Sequence, residues 1–311
     1  MDLKTKLNQY GKTKTPFFFL ISYDLLSWDV IPLKDLPNDI FYNINQIQNK
    51  KHNITLQTKF IDFSQYQYKF NQIIQQIKNG NTYLLNLTTP TQILNNINLK
   101  NIYQNSNAKY KLYYKNQFVS FSPETFITIQ NNTINTFPMK GTIDATIPNA
   151  KNIILNDPKE LAEHIMIVDL LRNDLNIVSS NVKVKNFRYI QKIQAGEKEL
   201  YQISSHICGN LQPNWQNTIG DIITNLLPAG SITGTPKRKT VEIIQQIEQY
   251  NRGYFTGIWG IFDGTSLNSS VLIRYIEKQN NNLIYKSGGG ITLESDCTKE
   301  YQEMKDKVYV P

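Results

Sequence analysis

The sequence predicts an α+β protein, and three observations support that prediction. Short runs rich in Val, Ile, Thr, Tyr and Phe are separated by turn residues, which is typical of antiparallel strands. Longer segments with the apolar spacing of amphipathic helices interrupt these runs. The two kinds of segment do not alternate regularly, so the doubly wound parallel sheet of α/β proteins is disfavoured.

The N-terminal part is expected to form short strands and loops before the first helix. Residues 16–23 are strongly apolar and could be mistaken for a signal peptide. Because Asp24 ends the run, and because the run is too short to span a membrane, we interpret it as a buried strand. An amphipathic helix is predicted at residues 66–79, ending at Gly80.

The strongest strand signal lies between residues 109 and 142, where four β-rich runs predict an antiparallel meander. These runs are 110–114, 118–121, 125–129 and 133–137. Further strands are expected at 181–189, 199–208, 255–262, 269–277 and 282–286. Helices are expected at 158–172, 219–227, 236–250 and 298–307.

Composition and charge exclude several classes of protein. The net charge is +8 at pH 7, but the basic residues are scattered and no run of five or more occurs, so we expect no nucleic-acid partner. The two cysteines, Cys208 and Cys297, lack the spacing of a disulfide framework or a zinc site. We therefore expect a cytoplasmic protein without membrane segments, in a reducing compartment.

A lysine between a proline and a glycine is the most informative motif. Lys140 stands in the segment Pro-Met-Lys-Gly-Thr at 138–142, and Glu124 ends an earlier Ser-Pro-Glu segment. If both side chains share one pocket, they form a nucleophile and a proton donor. Alone, Lys140 would be interpreted as a surface lysine in a turn. Beside Glu124, it predicts a catalytic role.

Two predicted helices each carry a pair of glutamates three residues apart. The first pair is Glu160 and Glu163, and the second is Glu300 and Glu303, followed by Lys307. Taken singly, such pairs are more typical of solvated helix faces than of ligand sets. An apolar run follows Glu163, however, so its helix is expected to be buried, and a buried carboxylate needs a partner.

A cation would explain both pairs together. If the two helices face each other, up to four carboxylates meet, which is tolerable only with a cation between them. Mg²⁺ fits, because it takes one or two carboxylates directly and completes its octahedron with water or substrate oxygens.

Three further features are compatible with either a structural or a ligand-binding role. Arg274 lies in a predicted strand, where its charge needs an internal salt bridge or a substrate carboxylate. The glycines at 288–290 suit a tight turn, or a backbone that approaches a carboxylate. Tyr254 is equally compatible with the core and with a ligand site.

Together these segments resemble the chorismate-binding enzymes, which include the anthranilate, aminodeoxychorismate, isochorismate and salicylate synthases. Ten motifs match in the same order along the chain. No single motif is specific to this family, but ten motifs in this order are. They are Gly80 to Tyr83, Ser122 to Glu124, Pro138 to Thr142, Glu160 to His164, Asp169 to Asp174, Gly230 to Lys237, Arg252 to Tyr254, Arg274, Gly288 to Gly290, and Glu300 through Glu303 to Lys307.

The resemblance implies a fold and a domain plan. The fold would be α+β, with two large twisted antiparallel sheets packed together and helices on the outside. Residues 1–311 would form a single chorismate-binding domain, with a shortened N-terminal part at 1–65 and a catalytic core at 66–308.

The resemblance also implies roles for individual residues. Glu163 and Glu303 would bind Mg²⁺, with Glu160 and Glu300 close behind through water, and the metal would hold the ring carboxylate of chorismate. Lys307 would support the acidic cluster. The remaining substrate-binding residues would be Gly141, Thr142, Tyr254, Arg274, Gly288, Gly289 and Gly290.

Lys140 indicates the subfamily. Aminodeoxychorismate synthases carry lysine at this place, whereas anthranilate synthases usually carry alanine. The resemblance thus implies component I of aminodeoxychorismate synthase, a magnesium-dependent transferase that makes 4-amino-4-deoxychorismate for 4-aminobenzoate and folate biosynthesis. Its lysine would form a covalent adduct with chorismate. Ammonia would come from a separate glutamine amidotransferase subunit, because this chain lacks a glutaminase Cys-His-Glu set.

Two alternatives remain, namely anthranilate synthase component I and a non-catalytic chorismate-binding or partner subunit. Gln202 stands where anthranilate synthases commonly have histidine, which weakens the first. Leu84 replaces the glutamine of many relatives and the lysine base of the isochorismate and salicylate enzymes, so water activation is not expected. The intact Glu124, Lys140 and four acidic residues argue against a non-catalytic subunit.

Overall fold

The computed structural model of this chain describes residues 1–46, 54–195, 198–280 and 282–311. By its internal packing the chain divides into two compact units. Unit 1 comprises Met1–Leu36, Glu124–Ser231 and Gly257–Val271, and unit 2 comprises Pro37–Pro123, Ile232–Thr256 and Leu272–Pro311. Each unit contains one large antiparallel sheet. The α+β class with two large antiparallel sheets is thus confirmed, whereas the single domain stays a prediction.

The helices and strands follow one another through both units. The helices are α1 (Leu3–Lys12), α2 (Phe63–Lys78), α3 (Leu99–Gln104), α4 (Ala150–Asn156), α5 (Pro158–Val178), α6 (Ile219–Leu226), α7 (Lys237–Glu248) and α8 (Cys297–Asp306). The strands are β1 (Phe17–Ile21), β2 (Trp28–Pro32), β3 (Ile40–Ile44), β4 (Thr58–Lys59), β5 (Leu84–Ile93), β6 (Tyr110–Tyr114), β7 (Phe118–Ser122), β8 (Thr125–Gln130), β9 (Thr133–Thr136), β10 (Met139–Asp144), β11 (Ser180–Ala195), β12 (Lys198–Asn210), β13 (Gly234–Thr235), β14 (Ile258–Phe262), β15 (Leu267–Val271), β16 (Tyr275–Gln279) and β17 (Asn282–Ile291).

The sheet of unit 1 has the order β10-β12-β9-β8-β15-β14-β1-β2, with β11 also paired to β12. Its strand β1 lies between β14 and β2, and all five of its residues are buried. The buried strand predicted at 16–23 is therefore confirmed. A strand that is apolar on both faces must be covered on both, so β1 anchors the core of unit 1.

The sheet of unit 2 has the order β13-β5-β17-β16-β7-β6-β3, with β4 also paired to β5. Helices α2, α7 and α8 cover it by packing apolar side chains against Leu85 and Leu87 of β5 and Ile291 of β17. This arrangement buries one stripe of each helix and holds α8, which carries the second glutamate pair, against the strand that carries the three glycines.

The predicted meander is wrong at its centre. Strands β6 and β7 form an antiparallel pair, as do β8 and β9, but β7 belongs to the sheet of unit 2 and β8 to the sheet of unit 1. Pro123 and Glu124 separate these two strands. Because proline cannot donate the N–H that a strand ladder needs, the chain can leave one sheet here and enter the other.

The strand predicted at 269–277 is wrong as well. Strand β15 ends at Val271 and β16 begins at Tyr275, and the two belong to different sheets. Arg274 has a φ of +52°, in the left-handed region that strand residues do not adopt. Arg274 therefore lies at the entrance to β16 and not inside a strand.

The tight turn considered for residues 288–290 is not formed, because β17 continues through the three glycines. Gly288 pairs with Thr88 of β5, and a β-carbon on Gly288 would lie 2.2 Å from the carbonyl oxygen of Leu87. The close approach of β5 thus requires glycine at this position.

Helix α1 was missed by sequence analysis, which expected strands and loops there. Asp2 caps it by accepting a hydrogen bond from the Thr5 N–H at 2.9 Å, and Leu3, Leu7 and Gly11 lie buried four residues apart. Both signals are present in the sequence. Among the residues that the structure describes, no helix is long and apolar enough to cross a membrane.

Candidate active site

Lys140 lies in β10 of unit 1, at a break in the pairing of that strand. Met139 pairs with Ser204 of β12 and Thr142 pairs with Gln202, with a register shift between the two pairs. Such a shift marks a β-bulge, which redirects side chains and is common next to active sites. Lys140 is half-buried at this bulge, and Thr142 is exposed.

Gly141 holds this strand against the beginning of α5. Its φ of +79° lies in the left-handed region, and a β-carbon built on it would lie 2.6 Å from Oε2 of Glu160. Any other residue would meet a conformational penalty here, and its β-carbon would displace the flexible carboxylate of Glu160. Two residues expected at the site, Gly141 and Glu160, are therefore neighbours in space, and Lys140 directly precedes Gly141 in the chain.

Helix α5 begins as the sequence predicts. Asp157 accepts a hydrogen bond from the N–H of Glu160 at 3.0 Å, and Pro158 occupies the first turn. One turn further on, only 12% of the Glu163 side chain is exposed, and its ion pair with Lys159 is long at 3.8 Å. Glu163 thus presents a largely buried carboxylate. The helix itself is less buried than the apolar run predicts, because Ile165 in that run is 49% exposed.

His164 is fully buried between α5 and the sheet. Its Nε2 shares a hydrogen bond of 2.7 Å with Oγ of Ser205. Burial, reinforced by the positive charges of Arg188 and Lys140, lowers the pKa of His164 to about 4. The imidazole is therefore neutral at physiological pH, and Lys140 lies near enough to act on it electrostatically.

Glu124 is half-buried immediately before β8 in unit 1. Its carbonyl oxygen accepts hydrogen bonds from the Val271 N–H at 3.3 Å and from Oγ of Ser270 at 2.8 Å. Its carboxylate oxygen Oε1 accepts a hydrogen bond from Oγ of Ser231. Both the backbone and the side chain of Glu124 are therefore held in place within unit 1.

The second group of expected residues lies in unit 2, where α8 faces the glycines of β17. A β-carbon on Gly289 would lie 3.5 Å from Oε2 of Glu300, 3.6 Å from Nζ of Lys307 and 3.8 Å from Oε1 of Glu303. The absence of a side chain at Gly289 thus leaves room beside all three charged groups.

One of the two carboxylates in this group is paired with a lysine. Lys307 forms an ion pair with Glu303 at 2.7 Å and donates a hydrogen bond to the carbonyl oxygen of Gly288 at 3.0 Å. Glu300 is almost completely buried and accepts a hydrogen bond from Oγ of Ser295 at 2.8 Å. Lys307 therefore contacts Glu303 of the acidic pair.

Arg274 contacts the end of α8, and among the described residues it has no salt-bridge partner. Its Nη1 donates a hydrogen bond to the carbonyl oxygen of Lys307 at 2.7 Å, and its guanidinium lies 4.6 Å from the ring centre of Tyr309. A cation is favoured at a helix C-terminus. Tyr254, also in unit 2, is half-buried and packs on the rings of Tyr114 and Phe118.

The donor chemistry of both units suits Mg²⁺, which prefers carboxylate oxygens. Unit 1 offers Glu160 and Glu163 on α5, and unit 2 offers Glu300 and Glu303 on α8. Within the described residues, no group of three or more His, Cys, Asp or Glu side chains is placed to hold a metal ion. Each unit thus contributes a pair of carboxylates, and the assembly of all four around one cation stays a prediction.

Sequence analysis did not assign a role to Ser231, which contacts Glu124, or to Ser205, which contacts His164. Ser231 lies in one of the ten matched motifs, so a signal existed. Ser205 lies on a strand without any motif, and no sequence feature marks it. Asp169 and Arg172, in the fifth matched motif, form an ion pair of 2.7 Å that lies exposed on the surface of α5.

Known proteins resemble this chain along most of its length. The profile of the chorismate binding enzymes matches residues 34–311. An uncharacterized PabA-like protein of Haemophilus influenzae is 47% identical over 314 residues, covering 98% of this chain and 94% of that protein. Aminodeoxychorismate synthase component 1 of Bacillus subtilis is 30% identical over 259 residues, covering 77% of this chain. The match covers 54% of that enzyme, so the chain spans about half its length.

Two solved structures share the fold. A 2,3-dihydroxybenzoate-specific isochorismate synthase of Bacillus anthracis superposes with a TM-score of 0.75 at 18% identity, covering 98% of this chain and 87% of that one. Anthranilate synthase component I of Streptococcus pneumoniae superposes with a TM-score of 0.71 at 25% identity, covering 84% of this chain and 60% of that one. Both agree with the two large antiparallel sheets described above.

Proposed function

The chain belongs to the chorismate-binding enzyme family, and on that premise we propose that it is component I of aminodeoxychorismate synthase. It would convert chorismate and ammonia to 4-amino-4-deoxychorismate and water. The observation that carries the proposal is the setting of Lys140. This lysine is half-buried at a β-bulge, directly before Gly141, on which a β-carbon would lie 2.6 Å from Oε2 of Glu160. Glu124 lies in the same unit.

The first half of the reaction uses Lys140 as a nucleophile and Glu124 as an acid. The neutral amine of Lys140 forms a bond to C2 of the ring, the double bonds move, and the bond from C4 to its hydroxyl breaks. Glu124 gives its proton to the departing hydroxyl, which leaves as water. A covalent adduct between Lys140 and the ring results.

The second half returns both residues to their starting states. Ammonia forms a bond to C4, the double bonds move back, and the bond from C2 to Lys140 breaks, so that the lysine leaves as a neutral amine. The Glu124 carboxylate accepts the proton that the new ammonium group loses. The balance is chorismate plus ammonia to 4-amino-4-deoxychorismate plus water.

We propose that Glu163 and Glu303 hold Mg²⁺, with Glu160 and Glu300 supporting it through water. When bound, the cation neutralises the ring carboxylate of chorismate and orients it. The 12% exposure of Glu163 and its long ion pair with Lys159 support this assignment, because a buried carboxylate is favoured by a nearby cation.

The enolpyruvyl carboxylate of chorismate would be held in unit 2. Arg274 has a guanidinium with five N–H groups, and one nitrogen is engaged with the Lys307 carbonyl oxygen. Tyr254 and the backbone of the glycines at 288–290 would complete this subsite, and Gly141 and Thr142 would lie beside the ring. Lys307 keeps Glu303 in place through their ion pair.

Two residues that differ from those of related enzymes support amination at C4 over the related reactions. Leu84 is buried in β5 and has no group that could activate water. Gln202 lies opposite Thr142 in the strand pairing, at the place of the histidine common in anthranilate synthases. Neither residue can act as a base.

Ammonia would come from a glutamine amidotransferase subunit. We propose a cytoplasmic location, with which the free thiols of Cys208 and Cys297 are compatible.

The test is to identify the products after incubating the purified chain with chorismate, Mg²⁺ and an ammonium salt at mildly alkaline pH. We expect a chorismate-derived amine that yields 4-aminobenzoate when the matching lyase is added. Anthranilate would assign the chain to the anthranilate synthases. No chorismate consumption, even with a glutamine amidotransferase subunit, would identify a non-catalytic binding subunit. Omitting Mg²⁺ is the matched control and should abolish turnover.

A further inference from the structure

We propose that Ser231 is a positioning residue that confines the acidic proton of Glu124 to a single carboxyl oxygen. This inference rests on the proposed function, in which Glu124 protonates the C4 hydroxyl and later accepts a proton from the amine. Ser231 does not have to touch the substrate for this role, because it acts through Glu124.

Glu124 is fixed from two sides. Its carbonyl oxygen accepts hydrogen bonds from the Val271 N–H and from Oγ of Ser270, which tie its backbone to the end of β15. Oγ of Ser231 donates to Oε1 of the same residue. With both ends held, the carboxyl group has one defined orientation relative to the sheet of unit 1.

Ser231 is in turn held by its own segment. It follows Gly230, whose β-carbon, if present, would lie 2.9 Å from Oδ2 of Asp174 and 3.0 Å from Cδ2 of Leu170, both on α5. Asp174 is buried at this contact. The backbone next to Ser231 therefore packs closely against α5, which fixes the position from which the hydroxyl reaches Glu124.

The hydrogen bond lies beside a small pocket, where both side chains are half-buried. Glu124 and Ser231 both line it, together with Asp174, Thr125 and Thr136. Its volume is about 20 Å³, which is room for about one water molecule. A hydrogen bond is stronger in such partly desolvated surroundings than in bulk water.

The hydrogen bond from Ser231 determines which oxygen of the Glu124 carboxyl group carries the proton. A protonated carboxyl carries one O–H, and an oxygen that accepts from Ser231 is the carbonyl oxygen, so the proton lies on Oε2. When Oε2 gives up its proton, Oε1 becomes part of a carboxylate, and hydrogen bonds to charged acceptors are about twice as strong. The contact is therefore stronger in the transition state than in the ground state, and it raises kcat.

The test is a double-mutant cycle measured by steady-state and single-turnover kinetics. Ser231→Ala should lower kcat about 10- to 100-fold, because hydrogen bonds to charged groups fall in that range, with KM changed less than about twofold. Ser231→Thr, which keeps the hydroxyl, should restore most of the rate. In the Glu124→Gln background, Ser231→Ala should cause no further loss.

Two results would overturn the inference. The first is an equal loss from Ser231→Ala in the Glu124→Gln background, which would mean that Ser231 acts on the substrate or on the fold. The second is an unchanged kcat.

An infrared measurement decides the same point without turnover. The difference spectrum between the wild-type chain and Glu124→Gln isolates the C=O stretching band of the Glu124 carboxyl group. In the Ser231→Ala background, the same difference should show this band at higher wavenumber. An unshifted band would contradict the hydrogen bond itself. If the wild-type chain makes no 4-amino product, the proposed function fails, while this spectrum still tests Ser231.

Discussion

Gly141→Ala is expected to weaken the binding of Mg²⁺ without unfolding the chain. The φ of +79° costs an alanine about 1 to 2 kcal/mol, part of which is offset by the lower entropy of the unfolded chain. The net loss of about 1 kcal/mol should lower Tm by about 2 °C. In addition, the new β-carbon would lie 2.6 Å from Oε2 of Glu160, so that carboxylate must retreat by about 1 Å.

The displacement of the Glu160 carboxylate determines how far Mg²⁺ binding is weakened. Loss of a group that supports a metal through its second coordination sphere weakens metal affinity by about 10- to 100-fold. We therefore expect the Mg²⁺ concentration for half-maximal chorismate consumption to rise at least tenfold. The assay is a Mg²⁺ titration of chorismate consumption, paired with calorimetric measurement of Tm.

Gly80→Ala is the matched control. Gly80 has a φ of +75°, and a β-carbon on it would meet no atom within 4 Å. It should therefore lose the same stability as Gly141→Ala and keep the wild-type Mg²⁺ dependence. The reasoning is refuted if both variants lose equal stability and Gly141→Ala still responds to Mg²⁺ like the wild type.

Two further predictions concern stability. Arg252→Met should lower the free energy of unfolding, measured with a chemical denaturant, by about 3 to 5 kcal/mol, because it leaves the buried carboxylate of Glu248 without its ion-pair partner at 2.7 Å. Arg172→Met, which breaks the exposed pair with Asp169, should lower it by less than about 1 kcal/mol. Equal losses from the two variants would contradict a stabilising role for the buried pair. The pKa of His164 falls from 6.5 when unfolded to about 4 when folded, so the unfolded chain binds more protons between these values, and stability decreases there as the pH is lowered. Between pH 7 and pH 5 the contribution lost is about 2 kcal/mol, and His164→Asn should remove this part of the pH dependence.

Local sequence signals predicted most of the helices. Asp157 and Pro158 marked the beginning of α5, and Gly80 marked the end of α2, because capping depends on a few neighbouring residues. The same logic would have found α1 from Asp2 and its buried positions. The Lys140 segment was placed correctly in a β-rich region, although the bulge was not foreseen.

Features that depend on distant partners were not predictable from local patterns. The change of sheet at Pro123 reflects which strands pair, and pairing is decided by packing over the whole chain. Arg274 is contacted by the carbonyl oxygen at the end of α8, far along the sequence. Ser231 reaches Glu124 across 107 positions, and no periodicity encodes such a contact.

The central claim is that Lys140 directs ammonia to C4 of chorismate. The most direct measurement is the ratio of C4-aminated to C2-aminated product formed by the wild-type chain and by Lys140→Ala with saturating ammonium and Mg²⁺, resolved by chromatography with mass detection. We predict C4 amination by the wild type, and a switch to C2 amination in Lys140→Ala, because ammonia would then attack C2 itself. Undiminished C4 amination by Lys140→Ala would contradict the claim.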